Sequence, residues 1–140
     1  MIKDKKILIV GAGGFIGGHL VKKLLNDGNT IVASDIKPKE YWFQDIDEVE
    51  NHYAMDMKDI SNCRKVTKGA DYVFNMACNM GGMGFIENNK AECMQSVLIN
   101  TNLLIACKED KVKKYFFSSS ACAYNKTKQQ EVFIEGLKED

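Results

Sequence analysis

The sequence predicts an α/β fold, a doubly wound parallel sheet, on three observations. Short β-branched apolar runs alternate with segments of helical spacing. A glycine cluster stands directly between the first run and the first helix, and an acidic residue closes the second run. With 140 residues the chain has room for one domain and not for two.

Lys6-Ile7-Leu8-Ile9-Val10 is apolar on both faces, as a buried parallel strand must be. After the glycines, Phe15, Ile16, Leu20, Leu24 and Leu25 recur at helical spacing, and Asn26-Asp27-Gly28-Asn29 carries the turn chemistry that ends a helix. Residues 30–34 read as a second strand ending at Asp35. Residues 36–51 are polar and hold the only proline, Pro38, so they read as a loop with at most a helical turn. Residues 52–55 form a brief third strand, residues 59–68 a helix closed by Gly69, and residues 71–75 a fourth strand. A glycine-rich connector, Met80-Gly81-Gly82-Met83-Gly84, leads to a helix over 87–108, with Val97, Leu98, Leu103, Leu104 and Ile105 on its buried side. Residues 113–118 complete five strands. Right-handed crossovers between them give the strand order 3-2-1-4-5.

Nineteen basic residues balance nineteen acidic ones, so no global field recruits nucleic acid or an acidic membrane surface. Any anion must be held locally, by backbone and helix termini. Five cysteines, with no Cys-x-x-Cys among them, fit reduced thiols in the cytoplasm, with Cys78 and Cys93 read as small core residues. His19 and His52 stand apart, so no metal-ligand spacing is present. No apolar run reaches the roughly 18 residues of a membrane span.

Gly11-Ala12-Gly13-Gly14-Phe15-Ile16-Gly17 opens the first helix at the end of the first strand. Gly11 permits the tight turn, Gly14 lets a pyrophosphate approach the backbone, and Gly17 lets helix and strand pack closely. Free N–H groups at the helix start then hold phosphates without a basic side chain. Asp35 ends the second strand some 20 residues on, where a carboxylate binds both ribose hydroxyls. Strand, turn, helix, strand and acid in that order predict dinucleotide binding. Asp35 repels a 2′-phosphate, so NAD is preferred, and Lys37 and Lys39 either soften that choice or belong to a solvated loop. Asp56 meets the adenine amine or caps the next helix.

The Gly-x-x-Gly-x-x-Gly spacing resembles the extended short-chain dehydrogenase/reductase family, which implies a Rossmann-type NAD-binding domain. Tyr115-Phe116-Phe117-Ser118-Ser119-Ser120-Ala121-Cys122-Ala123-Tyr124 is similar to that family's fifth strand and catalytic serine segment. Asn75-Met76-Ala77-Cys78-Asn79-Met80-Gly81-Gly82-Met83-Gly84-Phe85 and the Ser-Ser-Ala-Cys run resemble its GDP-mannose 3,5-epimerase branch. That resemblance implies cofactor contacts at Gly11, Gly13, Gly14, Phe15, Ile16, Gly17, Asp35, Asp56 and Ala77. It implies substrate contacts at Gly81, Gly82, Ser120, Ala121 and Cys122. It also implies a nucleotide-sugar substrate, a GDP-hexose, oxidised at C4, epimerised at C3 and C5, and reduced again.

Ser120 would hydrogen-bond the C4 oxygen and Cys122 would move protons at the sugar carbons, while Ser118 and Ser119 satisfy the strand end. Ser96 stands where the family usually has Asn, and Asn125 where it often has Pro. Tyr124-Asn125-Lys126-Thr127-Lys128 fits Tyr-x-x-x-Lys but lies only four residues after Ser120, whereas the family's pair belongs on a later helix. The expectation is therefore one domain, 1–140, truncated before the substrate domain, inactive alone and self-associating through its uncovered face. The alternatives are another NAD-dependent sugar-nucleotide epimerase or dehydratase, or a non-catalytic NAD-binding fragment.

Overall fold

The computed structural model describes residues 2–49, 51–79 and 81–119. Its elements are β1 (Lys6–Val10), α1 (Phe15–Asn26), β2 (Thr30–Asp35), a 3-10 turn (Lys39–Tyr41), β3 (Asn51–Ala54), α2 (Ile60–Thr67), β4 (Tyr72–Asn75), α3 (Met83–Asn88), α4 (Lys90–Glu109) and β5 (Lys114–Phe117). All four strand pairings are parallel and the order is β3-β2-β1-β4-β5, as the alternation predicts.

Side chains alternate across a strand, so β1 feeds both layers. Leu8 and Val10 pack with Val32, Val73, Cys63, Val66 and Leu103, the layer of α2 and α4. Ile7 and Ile9 pack with Val21, Leu24, Ile31 and Ala33 in the layer of α1. Local chemistry ends the helices. Gly28 (φ 86°) turns the chain out of α1 while Asn29 Nδ2 donates to the Leu24 carbonyl at 2.9 Å. Asp59 caps α2 by accepting the Ser61 N–H at 2.8 Å, and Gly69 (φ 72°) follows its last turn.

Three features differ from expectation. Residues 36–49 are not a polar loop only, because Trp42, Ile46 and Val49 are buried against the α1 side. They do the work of a covering helix. The glycine-rich connector is shorter than expected, since α3 begins at Met83 and the chain breaks at Asn89 before α4. Helical spacing alone does not register that break. Finally, α4 buries Leu103, Ala106 and Cys107, whereas Val97, Leu98, Leu104 and Ile105 are exposed together with Met94. This helix is apolar on two opposite faces, so the pattern could not say which face the sheet takes.

Candidate functional site

The carboxyl ends of β1 and β4 diverge into helices on opposite faces, and this is where the strand order reverses. A crevice of about 400 Å3 opens there, walled by Gly11, Gly14, Asp35, Asp56 and Ala77 among others. Gly11 adopts φ 81°, and a Cβ on it would lie 2.8 Å from the Ala77 nitrogen and the Met76 carbonyl carbon. Only glycine lets the two strand exits touch. Gly17 is tighter still, since its Cβ would stand 2.1 Å from the Gly11 carbonyl oxygen.

The start of α1 is prepared for an anion. Gly14 is its N-cap with no side-chain cap, and no acidic residue stands in its first turn. Among the described residues, nothing accepts the N–H groups of Phe15, Ile16 or Gly17. Three unpaired donors at the positive end of a helix fit a pyrophosphate. Gly13, Phe15, Ile16 and Gly17 stand beside the crevice rather than in its wall. The Phe15 and Ile16 side chains are exposed, and Phe15 meets Phe43 edge-on at 5.1 Å.

Asp35 is 7% exposed, and its carboxylate accepts two backbone donors, Gly13 N–H at Oδ2 and Lys37 N–H at Oδ1, both at 2.9 Å. A buried carboxylate at a strand end is stable only when hydrogen-bonded, and remaining lone pairs here face a cavity that a ribose diol suits. Asp56 also walls the crevice. The helix-cap reading of it is corrected: Asp59 caps α2, and Asp56 instead accepts the Lys58 N–H at 2.9 Å.

Beyond β4, Gly81 and Gly82 are exposed. A Cβ at Gly81 would meet Phe85 Cβ at 2.8 Å, whereas Gly82 has nothing within 4 Å, so packing already accounts for the first glycine. Ser96 takes the Asn79 N–H at 3.2 Å, tying this loop to α4. Asn75, fully buried, reaches Tyr115 Oη at 3.0 Å, and the phenol donates to Asn100 Oδ1 at 2.7 Å. Burial pushes the Tyr115 phenol well above its usual range, so it stays a donor. Ser118 satisfies the Asn75 carbonyl through both N–H and hydroxyl at 3.2 Å. Ser120, Ala121, Cys122 and the Tyr124–Lys128 run lie outside the described residues.

Several parts of the site have no local sequence pattern. Trp42 encloses Gly13, whose Cβ would sit 2.6 Å from Trp42 Cδ1, and no local pattern announces that contact. Gln95 and Ile99 of α4 wall the crevice from the other side. Cys78 is corrected from core residue to exposed crevice wall and Cys93 is half-buried, while among the described residues Cys63 and Cys107 are buried. Burial pushes the Cys63 thiol up to about 11 and the Cys107 thiol up to about 12. At pH 8 a thiol reagent is therefore expected to label Cys78 and spare Cys63 and Cys107. A dinucleotide in the crevice should slow the Cys78 reaction. Mass-spectrometric mapping with and without NAD checks this, and equal Cys78 rates would contradict it. Among the described residues no group of three or more His, Cys, Asp and Glu could hold a metal ion. No helix among them is long and apolar enough to cross a membrane.

Residues 7–138 match the NAD dependent epimerase/dehydratase family. The chain belongs to that family. It is 42% identical over 138 residues to GDP-mannose 3,5-epimerase of Arabidopsis thaliana, covering 98% of this chain and 36% of that protein. It is 44% identical over 135 residues to GDP-mannose 3,5-epimerase 1 of Oryza sativa subsp. japonica, covering 96% of this chain and 35% of that protein. The chain thus spans about a third of the length of these relatives. Among solved structures, a UDP-N-acetylglucosamine 4-epimerase from Methanobrevibacter ruminantium superposes with a TM-score of 0.75 at 28% identity, over 97% of this chain and 45% of that one. The crevice fits the cofactor that gives the family its name. The left-handed Gly11, the uncapped α1 terminus and the buried Asp35 are three separate features that a dinucleotide would use.

Proposed function

We propose that residues 1–140 are the NAD-binding part of a nucleotide-sugar epimerase acting on a GDP-hexose, as the GDP-mannose 3,5-epimerases do. The observation that carries this reading is identity of 42–44% to two such enzymes across nearly the whole chain, against 28% to the superposing 4-epimerase. The first-turn N–H groups of α1 hold the pyrophosphate, Asp35 the adenosine ribose hydroxyls, and Asp56 the adenine edge. Bound NAD supplies reversible oxidation at a sugar carbon, which acidifies the neighbouring C–H bonds and leaves the net reaction redox-neutral. Ser120 hydrogen-bonds the reacting oxygen, and Cys122 exchanges protons at the adjacent carbons. Gly82, with open space at its missing Cβ, leaves room for the sugar beside the crevice. The free thiols fit a cytoplasmic setting.

The test is NMR of GDP-mannose in heavy water with NAD and the longest polypeptide the native reading frame encodes. Deuterium should enter at C3 and C5, and Cys122→Ser should abolish it. Deuterium uptake at the parent rate in that variant would remove Cys122 from the chemistry. Exchange with UDP-sugars alone would favour a 4-epimerase or dehydratase.

A homo-oligomer is part of the same proposal, and α4 supports it. Met94, Val97, Leu98, Leu104 and Ile105 are exposed along one stripe, and Thr101 turns its hydroxyl onto the Val97 carbonyl at 2.9 Å. An uncharged stripe can meet itself across a two-fold axis. Sedimentation of the chain should show dimers that Leu98→Glu with Leu104→Glu dissociates. A parent chain sedimenting as a monomer would overturn this part.

A further inference from the structure

Two neighbouring strands are followed by one pattern, Asp35-Ile36-Lys37 after β2 and Asp56-Met57-Lys58 after β3. In each, the aspartate Oδ1 accepts the N–H of the lysine two residues on, at 2.9 Å both times. All four charged residues wall the crevice, so two carboxylates and two lysines stand at its adenosine end, with the Lys37 ammonium turned onto the Gly13 carbonyl beside it. A lone carboxylate at the end of β2 excludes a 2′-phosphate by repulsion. Two ammonium groups beside it remove the net negative field.

Neither ammonium is committed. Lys37 Nζ donates to the Gly13 carbonyl at 2.9 Å, but the Phe43 N–H serves that same oxygen at 3.1 Å, so the lysine can leave without orphaning it. Lys58 Nζ lies 3.2 Å from Asp56 Oδ2 and 3.3 Å from Gln95 Oε1. Both side chains of that ion pair are 37% exposed, which makes it weak and easily exchanged for a stronger anion. A phosphate dianion is such an anion.

We propose that Lys37 and Lys58 select the cofactor, and that they admit a 2′-phosphorylated adenine dinucleotide, NADP, into the crevice beside NAD. The proposal rests on the dinucleotide reading of the site. Its sequence signal is the repeated Asp-x-Lys, and its structural basis is that both lysines are held at the crevice by their own backbone N–H groups.

Calorimetric titration of the 140-residue chain with NAD and with NADP, at low and high salt, tests it. NADP should bind within about thirtyfold of NAD at low salt, and the gap should widen as salt screens the phosphate. In Lys37→Met/Lys58→Met, checked by circular dichroism for an intact fold, the NAD-to-NADP affinity ratio should rise about tenfold or more. The single variants should each carry part of that rise. NAD binding with no measurable NADP binding would overturn the proposal and leave the NAD reading standing. So would a double variant that weakens both cofactors by one factor. Binding of neither cofactor would defeat the NAD reading, and this proposal with it.

Discussion

Gly17→Ala is expected to be the most damaging added methyl group among the described glycines. Its Cβ would lie 2.1 Å from the Gly11 carbonyl oxygen, 2.9 Å from the Gly11 carbonyl carbon and 3.1 Å from Ala12 Cα. Each of these is backbone, so no rotamer change relieves the contact, and α1 must move away from the turn. That displaces the unpaired N–H groups of Phe15 and Ile16 from the crevice as well. Overpacking of this kind costs about 3 kcal/mol or more, a large share of the 5–15 kcal/mol typical of a domain. The control is Gly84→Ala, where nothing lies within 4 Å and the residue sits inside α3. Helix propensity makes that change neutral or favourable by up to about 1 kcal/mol. Urea denaturation of the two variants checks both signs. A Gly17→Ala chain as stable as its parent would mean that the turn and helix do not pack as described.

Asp35→Ala carries the second large effect, on binding. The carboxylate holds the Gly13 and Lys37 N–H groups and lines the cavity, so its loss would strip a ribose diol bound there of its acceptor. NAD affinity should fall by about 1–3 kcal/mol, roughly 5- to 150-fold. Loss of the Gly13 anchor alone would also weaken binding, and 2′-deoxy-NAD separates the two causes. The parent should discriminate against the deoxy cofactor, and Asp35→Ala should not. If the variant still discriminates, the acid supports the turn without touching the ribose.

Much of this site was legible because its parts are local. Gly11, Gly17 and Asp35 act through backbone geometry at fixed offsets from strands, and strand–helix alternation with right-handed crossovers ordered the five strands. What escaped depends on contacts distant in sequence. Trp42 reaches Gly13 from within a loop that otherwise reads as polar. Gln95 reaches Lys58 across 37 residues. On α4, two apolar faces compete, and only the packing of Leu103, Ala106 and Cys107 beside Cys63 and Val66 decides between them. Asp56 against Asp59 is a choice between two carboxylates three residues apart, and either satisfies the cap rule.

If the ends of β1, β2 and β4 and the start of α1 form a dinucleotide crevice, amide chemical shifts of the 15N-labelled chain will map it during an NAD titration. The largest changes should fall on Gly11, Gly14, Phe15, Ile16, Gly17, Lys37 and Ala77, and they should saturate together. Shifts confined to the polar hollow of Lys22, Asn26, Asp45, Asp47 and Glu48, or none up to about 1 mM NAD, where binding is worth only about 4 kcal/mol, would contradict it.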